Sequence, residues 1–254
     1  TAPIETPDDR YEIDPEITPY CELHYGNEYF GIENYPEKLA QIALNHAQGR
    51  PKGKALNIGC KTGRSTFELA VEYENVTGVD FTARMIRIGV ELKEKGYTQY
   101  TLPEEGEIVS FHQQNLQELG LDASRPKVEF MQADISNMKP LFNGYDLILL
   151  DMMLENTYSP RKFLDRVHER INPGGLLIIA SSYDWQDDRT DREHWLGGFK
   201  INGENATTLD QLSELLGDRF TRISEPTEIQ QVIRKTNRTF EHNAIQVTVW
   251  ELDS

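Results

Sequence analysis

The sequence predicts an α/β protein built on a doubly wound, mostly parallel sheet, with an antiparallel strand pair at its C-terminal edge. Three observations lead there. Apolar runs such as YDLILLD and GGLLIIAS are continuous rather than alternating, as expected of strands covered on both faces. Those runs take turns with segments whose apolar residues recur at a spacing of three to four, which implies right-handed crossovers on one sheet. The last two strand-like segments, RFTRIS and AIQVTVWEL, instead alternate at period two with no helix between them, the signature of an antiparallel pair.

Taken in order, residues 1–19 are acidic and carry Pro3, Pro7, Pro15 and Pro19, so they predict an extended N-terminal tail or arm rather than a packed element. Residues 20–254 then form one domain. Pro36 suits the first turn of a helix through EKLAQIALNHA that stops at Gly49. KALNIG reads as a strand, RSTFELAVEY as a helix, VTGVDF as a strand and ARMIRIGVELKEKG as a helix. Residues 97–126 are an insertion that a minimal fold of this kind does not need, and their pattern assigns no element. KVEFMQAD and YDLILLD are strands, PRKFLDRVHERI a helix, GGLLIIAS a strand and TLDQLSELLG a helix.

Bulk properties exclude several functions. With 38% hydrophobic residues the chain can build a core, while a mean hydropathy of −0.59 marks a water-exposed surface. A formal charge of −16 and a pI near 4.8 argue against a nucleic-acid partner, which needs clustered Lys and Arg. No apolar run approaches the roughly 20 residues of a membrane helix, and the start TAPIETPDDR has no basic-then-apolar leader pattern. Cys21 and Cys60 are far apart and the six histidines are scattered, which suggests a reducing cytoplasm and no metal site.

The chemistry is expected at three strand ends. The first strand runs into Gly59-Cys60-Lys61-Thr62-Gly63 and then a helix, a turn that lets backbone approach a ligand beside free N–H groups. The second strand ends at Asp80, 17 residues beyond Gly63, close to the roughly 20 at which an acid meets a ribose diol. Phe81 beside it offers a ring to a base. The third ends at Asp134-Ile135, where an acid can accept from an adenine amine while Ile135 covers the ring. Helix capping is the alternative for Asp80 and for Asp134. Nicotinamide dehydrogenases share the three-strand layout.

The downstream pattern, INPGGLLII followed by the antiparallel pair, resembles the Rossmann-like class I S-adenosylmethionine-dependent methyltransferases. That resemblance implies a seven-stranded sheet with a reversed last strand, S-adenosyl-L-methionine as cofactor and S-adenosyl-L-homocysteine as product. It places Gly59, Cys60, Lys61 and Gly63 on the methionine part, Asp80 and Phe81 on ribose and adenine, and Asp134 with Ile135 on the adenine edge. The sequence departs from the usual pattern at Asn57, where an acid is commoner, and at Lys61.

A finer resemblance rests on CELHYGNEYFGIENYPEKLA, NIGCKTGRSTFELA, YTLPEEGEIVSFH, DWQDDRTDREHWLGGFK and EPTEIQQVIRKTNRTFEHNAIQVTVW. These stretches are similar to the 5-thiohistidine (4-mercaptohistidine) N-methyltransferases of ovothiol biosynthesis, in some organisms fused to the sulfur-inserting synthase. The resemblance implies methylation of an imidazole nitrogen of 5-thiohistidine and coupling to such a synthase. The segment 181–206 leaves the carboxyl end of GGLLIIA, so it is expected to act as a substrate lid bearing Tyr183, Trp185, His194 and Trp195; anchoring of both tryptophans to the core is the alternative. Tyr20, His24 and Tyr25 from the arm and Arg64 are expected at the acceptor, with His24, Tyr25 and Asp151 as candidate catalytic groups and Asp151 also near the cofactor. Asp151-Met152-Met153 departs from a more neutral stretch in the family. Another small amine, thiol or carboxylate acceptor, or a non-catalytic cofactor-binding module, stays open on residues alone.

Overall fold

In the computed structural model, which describes residues 10–254, two layers of helix enclose one sheet. The helices are α1 (Thr18–Tyr25), α2 (Tyr35–His46), α3 (Arg64–Leu69), α4 (Ala83–Lys95), α5 (Pro160–Leu164) and α6 (Thr208–Leu216). Strands β1 (Lys54–Ile58), β2 (Asn75–Asp80), β5 (Val128–Gln132), β6 (Tyr145–Asp151) and β7 (Ile171–Ser181) are mutually parallel. β12 (Phe240–Leu252) runs antiparallel to β7, and β10 (Phe220–Arg222) and β11 (Thr227–Arg234) lie in succession along its other side. The sheet order is β10-β12-β7-β6-β1-β2-β5. Eight strands thus fill seven positions, and the doubly wound sheet with a reversed strand is as the sequence predicted.

Local chemistry sets the helix ends. The Asn34 side chain accepts from the Glu37 N–H at 2.9 Å and Pro36 occupies the first turn of α2. α4 places Met85, Ile88 and Leu92 on its buried side and ends where Gly96 turns left-handed at φ +81°. One face of the sheet packs Leu147, Ile178 and Val249 against α1–α4; the other packs Leu56, Ile148 and Leu177 against α5 and α6.

The insertion folds into a hairpin of β3 (Tyr97–Glu105) and β4 (Ile108–Asn115), followed by a 3-10 turn over Asp122–Lys127. Of the stretch read as a tail, residues 1–9 lie outside the described residues, and 10–17 dock on this hairpin and on α4. The Glu12 N–H donates to the Gln99 carbonyl at 2.9 Å, Glu12 pairs with Arg87, and Asp14 pairs with Arg84. Thr18 already opens α1. Segment 181–206 contains the hairpin of β8 (Phe199–Ile201) and β9 (Glu204–Ala206). Among the described residues no helix is long and apolar enough to cross a membrane.

Trp250 tests the second core, because its ring is 2% exposed and its Nε1–H donates to Thr248 Oγ1 at 2.9 Å. Trp250→Ala is expected to lower unfolding free energy by about 3–5 kcal/mol, read from urea denaturation; a loss below about 1 kcal/mol contradicts the packing.

Candidate functional site

The turn after β1 is shaped by close backbone approach. Gly59 has φ +80°, and a Cβ there would lie 2.3 Å from the Asp151 carbonyl oxygen. Gly63 has φ +101°, and its Cβ would lie 2.7 Å from the Phe130 ring. The Gly59 and Cys60 N–H groups donate to the Val79 carbonyl at 2.9 and 3.1 Å, binding the turn to β2. Asp80 then accepts from the Lys61 N–H through Oδ2 and from the Thr82 N–H through Oδ1, both at 3.0 Å. Thr82, rather than Asp80, is the N-cap residue of α4. The Phe81 ring is 65% exposed beside it. Asp134 is exposed and caps the 3-10 turn Ile135–Asn137 by accepting from the Ser136 N–H at 2.9 Å, with Ile135 buried below.

These groups fit an adenosyl amino-acid cofactor. A glycine cradle, a carboxylate and an exposed aromatic ring sit at the tips of adjacent strands. Beneath the turn, buried Asn57 Oδ1 has no hydrogen-bond partner while its Nδ2 donates to Thr66 Oγ1 at 3.0 Å. An orphaned buried acceptor of this kind carries a cost that a ligand or water would relieve.

Helix α1 clamps the turn from above. Tyr25 Oη donates to the Thr62 carbonyl at 2.7 Å, and Thr62 Oγ1 donates to the Tyr20 carbonyl at 3.0 Å. The Arg64 N–H donates to His24 Nδ1 at 3.1 Å, and Arg64 Nη1 donates to the His24 carbonyl at 2.8 Å. The Arg64 guanidinium also meets Glu68 at 2.8 Å and Glu37 at 3.3 Å. The structure therefore gives Tyr25 and Arg64 partners within the protein. Burial, with Arg64 and Lys61 nearby, pulls the His24 imidazole down to about 3, so it is neutral. Its Nδ1 accepts, which leaves the proton on Nε2.

A cavity of about 180 Å³ opens between the turn, the end of β6 and the β11–β12 hairpin. Tyr20, His24, Gly59, Lys61 and Asp151 all line it, so the structure brings together five of the candidate site residues. Asp151 is buried and accepts from Tyr35 Oη at 2.6 Å. Burial pushes its carboxyl up to about 7; Glu155 and Asp80 add to the rise, while Tyr35 and Lys61 oppose it. The Lys61 ammonium lies 5.1 Å from the Tyr20 ring centre. Burial works against its charge, but Asp80, Tyr20 and Asp151 outweigh that and raise its pKa. Met152, on the rim, is held at φ +54° with its N–H donating to the Ala180 carbonyl at 2.8 Å, a conformation costly for a side chain of this kind.

The tryptophans lie elsewhere. Trp185 is buried in the second core, with Nε1–H donating to Thr208 Oγ1 at 2.9 Å, and Trp195 Nε1–H donates to the Thr190 carbonyl at 2.8 Å. Their rings stack with centres 6.3 Å apart. Tyr183 donates to Gln246 Oε1 at 2.7 Å, and His194 packs on Tyr158. Tyr183 and Trp185 face a separate open hollow, and from segment 181–206 it is Arg189 that reaches the Asp151 cavity. Asp191, Glu193 and His194 bring ligand atoms within 4.8 Å of one another, but both carboxylates are exposed to solvent. Sequence reasoning missed Tyr35 and the cavity-facing Gln231, Ile233, Glu241 and Asn243. Little local signal marks the hairpin, since apolar residues fall side by side at Val232-Ile233 and Ala244-Ile245 instead of alternating.

Fold and site together define a class I S-adenosylmethionine-dependent methyltransferase domain, with S-adenosylmethionine as the cofactor of the class. The chain belongs to the family described as "Methyltransferase domain", whose pattern matches residues 30–219. Curated relatives include demethylmenaquinone methyltransferase of Clavibacter sepedonicus, 23% identical over 145 residues, or 57% of this chain and 47% of that protein. The enzyme of the same name from Paenarthrobacter aurescens (strain TC1) is 24% identical over 127 residues, 50% of this chain and 38% of that protein. The chain thus spans about half or less of the curated relatives it matches. Among solved structures, N-methyltransferase NodS from Bradyrhizobium japonicum WM9 in complex with S-adenosyl-L-homocysteine aligns with TM-score 0.55 and 16% identity, over 95% of this chain and 100% of that one. The [4+2]-cyclase SpnF aligns equally well, with TM-score 0.55 and 12% identity over 91% and 86%. Such likeness shows fold, and the reaction is a property of the site.

Asp80→Ala is expected to weaken S-adenosylhomocysteine binding about 100-fold, the loss of charge-assisted hydrogen bonds, in isothermal calorimetry; unchanged affinity would place the cofactor elsewhere.

Proposed function

We propose that this chain is an S-adenosylmethionine-dependent N-methyltransferase acting on an imidazole ring nitrogen of 5-thiohistidine. The supporting observation is the small, polar cavity around Asp151, whose lining includes His24, Lys61 and Asp151. That lining suits a small charged acceptor better than a quinone, the acceptor type named for the curated relatives. The sequence resemblance to thiohistidine methyltransferases supports the same choice. An enzyme that inserts sulfur into the imidazole of histidine would supply the acceptor.

When bound, S-adenosylmethionine supplies an electrophilic methyl on a sulfonium. Residues Gly59 to Gly63 would hold its methionine part, and Asp80 with Phe81 its ribose and base. The remaining work falls to the acceptor side. A neutral imidazole attacks through its unprotonated nitrogen, and methylation leaves a cationic ring whose remaining N–H proton a base takes. Asp151 suits this role: one oxygen is held by Tyr35 and its carboxyl is pushed up to about 7. His24 Nε2–H and the Lys61 ammonium can hold the thiolate, turning sulfur away so that nitrogen is presented.

The ionised carboxylate is the working form, so kcat/KM is expected to rise with pH through about 7 as Asp151 loses its proton. Asp151→Asn should remove that limb and lower turnover about 10²–10⁴-fold, the usual worth of a general base. A variant that keeps both the limb and the rate excludes Asp151 as the base. The function itself is tested by mass spectrometry after incubation with S-adenosylmethionine and histidine, 5-thiohistidine or ergothioneine. A methylated product from 5-thiohistidine alone is expected; absence of that product, or methylation of another acceptor instead, overturns the reading.

A further inference from the structure

Strand β12 is longer than the sheet it closes. Its pairing with β7 begins at Gln246, opposite Ser181 at the carboxyl end of β7. Residues 240–245 therefore continue past that edge, paired only with β11, and form a ribbon overhanging the cofactor side. Cross-strand pairs fix which side chains share a face. Ile229 sits opposite Ile245, Gln231 opposite Asn243, and Ile233 opposite Glu241. Along that one face the ribbon changes character as it leaves the core. Ile229 and Ile245 belong to the apolar core, whereas Gln231, Asn243 and Glu241 line the Asp151 cavity.

These three side chains are already linked. Asn243 Nδ2 donates to Gln231 Oε1 at 3.1 Å and to Glu241 Oε1 at 2.9 Å. Both Asn243 amide hydrogens are thereby used, which fixes the row's polarity. Asn243 Oδ1 remains as an acceptor and Gln231 Nε2 as a donor, while the half-exposed Glu241 carboxylate, with Oε2 3.5 Å from the Lys235 ammonium, keeps lone pairs for a second cation. A wall that offers two oxygens, one of them charged, beside an amide donor complements an ammonium next to a carboxylate.

We propose that the Gln231–Asn243–Glu241 row on the β11–β12 ribbon selects methyl acceptors that carry an α-amino-acid group, with Glu241 and Asn243 taking the ammonium. This rests on the reading that the Asp151 cavity receives the acceptor, and it names the part of the acceptor that the ribbon recognises. Gln231 Nε2 then meets the carboxylate, and the acceptor's ring is left facing Asp151.

The test uses the full chain loaded with S-adenosylhomocysteine and titrated with 5-thiohistidine or its analogue lacking the α-amino group. The unmodified chain is expected to prefer 5-thiohistidine by about ten-fold or more, the scale of a charge-assisted contact. Glu241→Gln and Asn243→Ala should each shrink that preference to about two-fold or less. S-adenosylhomocysteine affinity and the thermal midpoint should stay unchanged, which separates recognition from folding. A preference that survives both substitutions overturns the proposal, as does an equal loss for both compounds. If the chain binds neither compound, the thiohistidine reading fails, and the same ratio is measured with histidine and its analogue lacking the amine. A preference erased by Glu241→Gln there supports the ribbon's role; binding of no α-amino acid overturns it.

Discussion

The contact on which the site depends is between two backbones. The Gly59 Cα lies so close to the Asp151 carbonyl that any side chain at Gly59 would collide with it. Parallel pairing of β1 with β6 creates this proximity, because Ile58 lies opposite Leu150 and both strands end at the same level. The cofactor turn and the near-neutral carboxylate are therefore neighbours by construction. The glycine is needed there as much for the strand beside it as for any ligand.

The second constraint is the clamp from α1. Four hydrogen bonds join Tyr20, His24 and Tyr25 to Thr62 and Arg64, so the helix cannot shift without moving the turn. This explains why an arginine that looks suited to a substrate carboxylate is buried among Glu37, Glu68 and the His24 carbonyl. It also explains the neutral imidazole, since a charged ring between Arg64 and Lys61 would meet two like charges away from solvent. Desolvation thus acts in opposite directions on two cavity residues. It strips the proton from His24 and helps Asp151 keep one until near neutrality.

Much of the fold was legible because its strands are buried on both faces and its helices keep one apolar side. The glycine turn and Asp80 could be read for a related reason, as backbone geometry and a strand-end acid leave marks in a short local stretch. The tryptophan segment misled for a physical reason. Its exit from the carboxyl edge of β7 was correctly placed, but two indole N–H groups found partners in Thr208 and the Thr190 carbonyl and drew both rings onto the second core. Tyr35 was invisible because it meets Asp151 from 116 residues away, and no local pattern encodes such a meeting. The insertion was opaque because β4 carries exposed Ile108, Val109 and Phe111 on an edge strand, which blurs alternation.

The overhanging ribbon has a consequence for how such a domain could diversify. The glycine turn, Asp80 and Asp134 lie at the tips of β1, β2 and β5, spread over residues 59–134. The ribbon is one uninterrupted stretch near the end of the chain, anchored by the hydrogen bonds of β12 to β7. Changes at its polar face leave those anchoring bonds intact, because the pairing with β7 begins only at Gln246, beyond Glu241 and Asn243. On the proposed reading of the ribbon, a lineage exchanges one substrate for another by rewriting a few positions of a single hairpin, with the turn after β1 and Asp80 untouched.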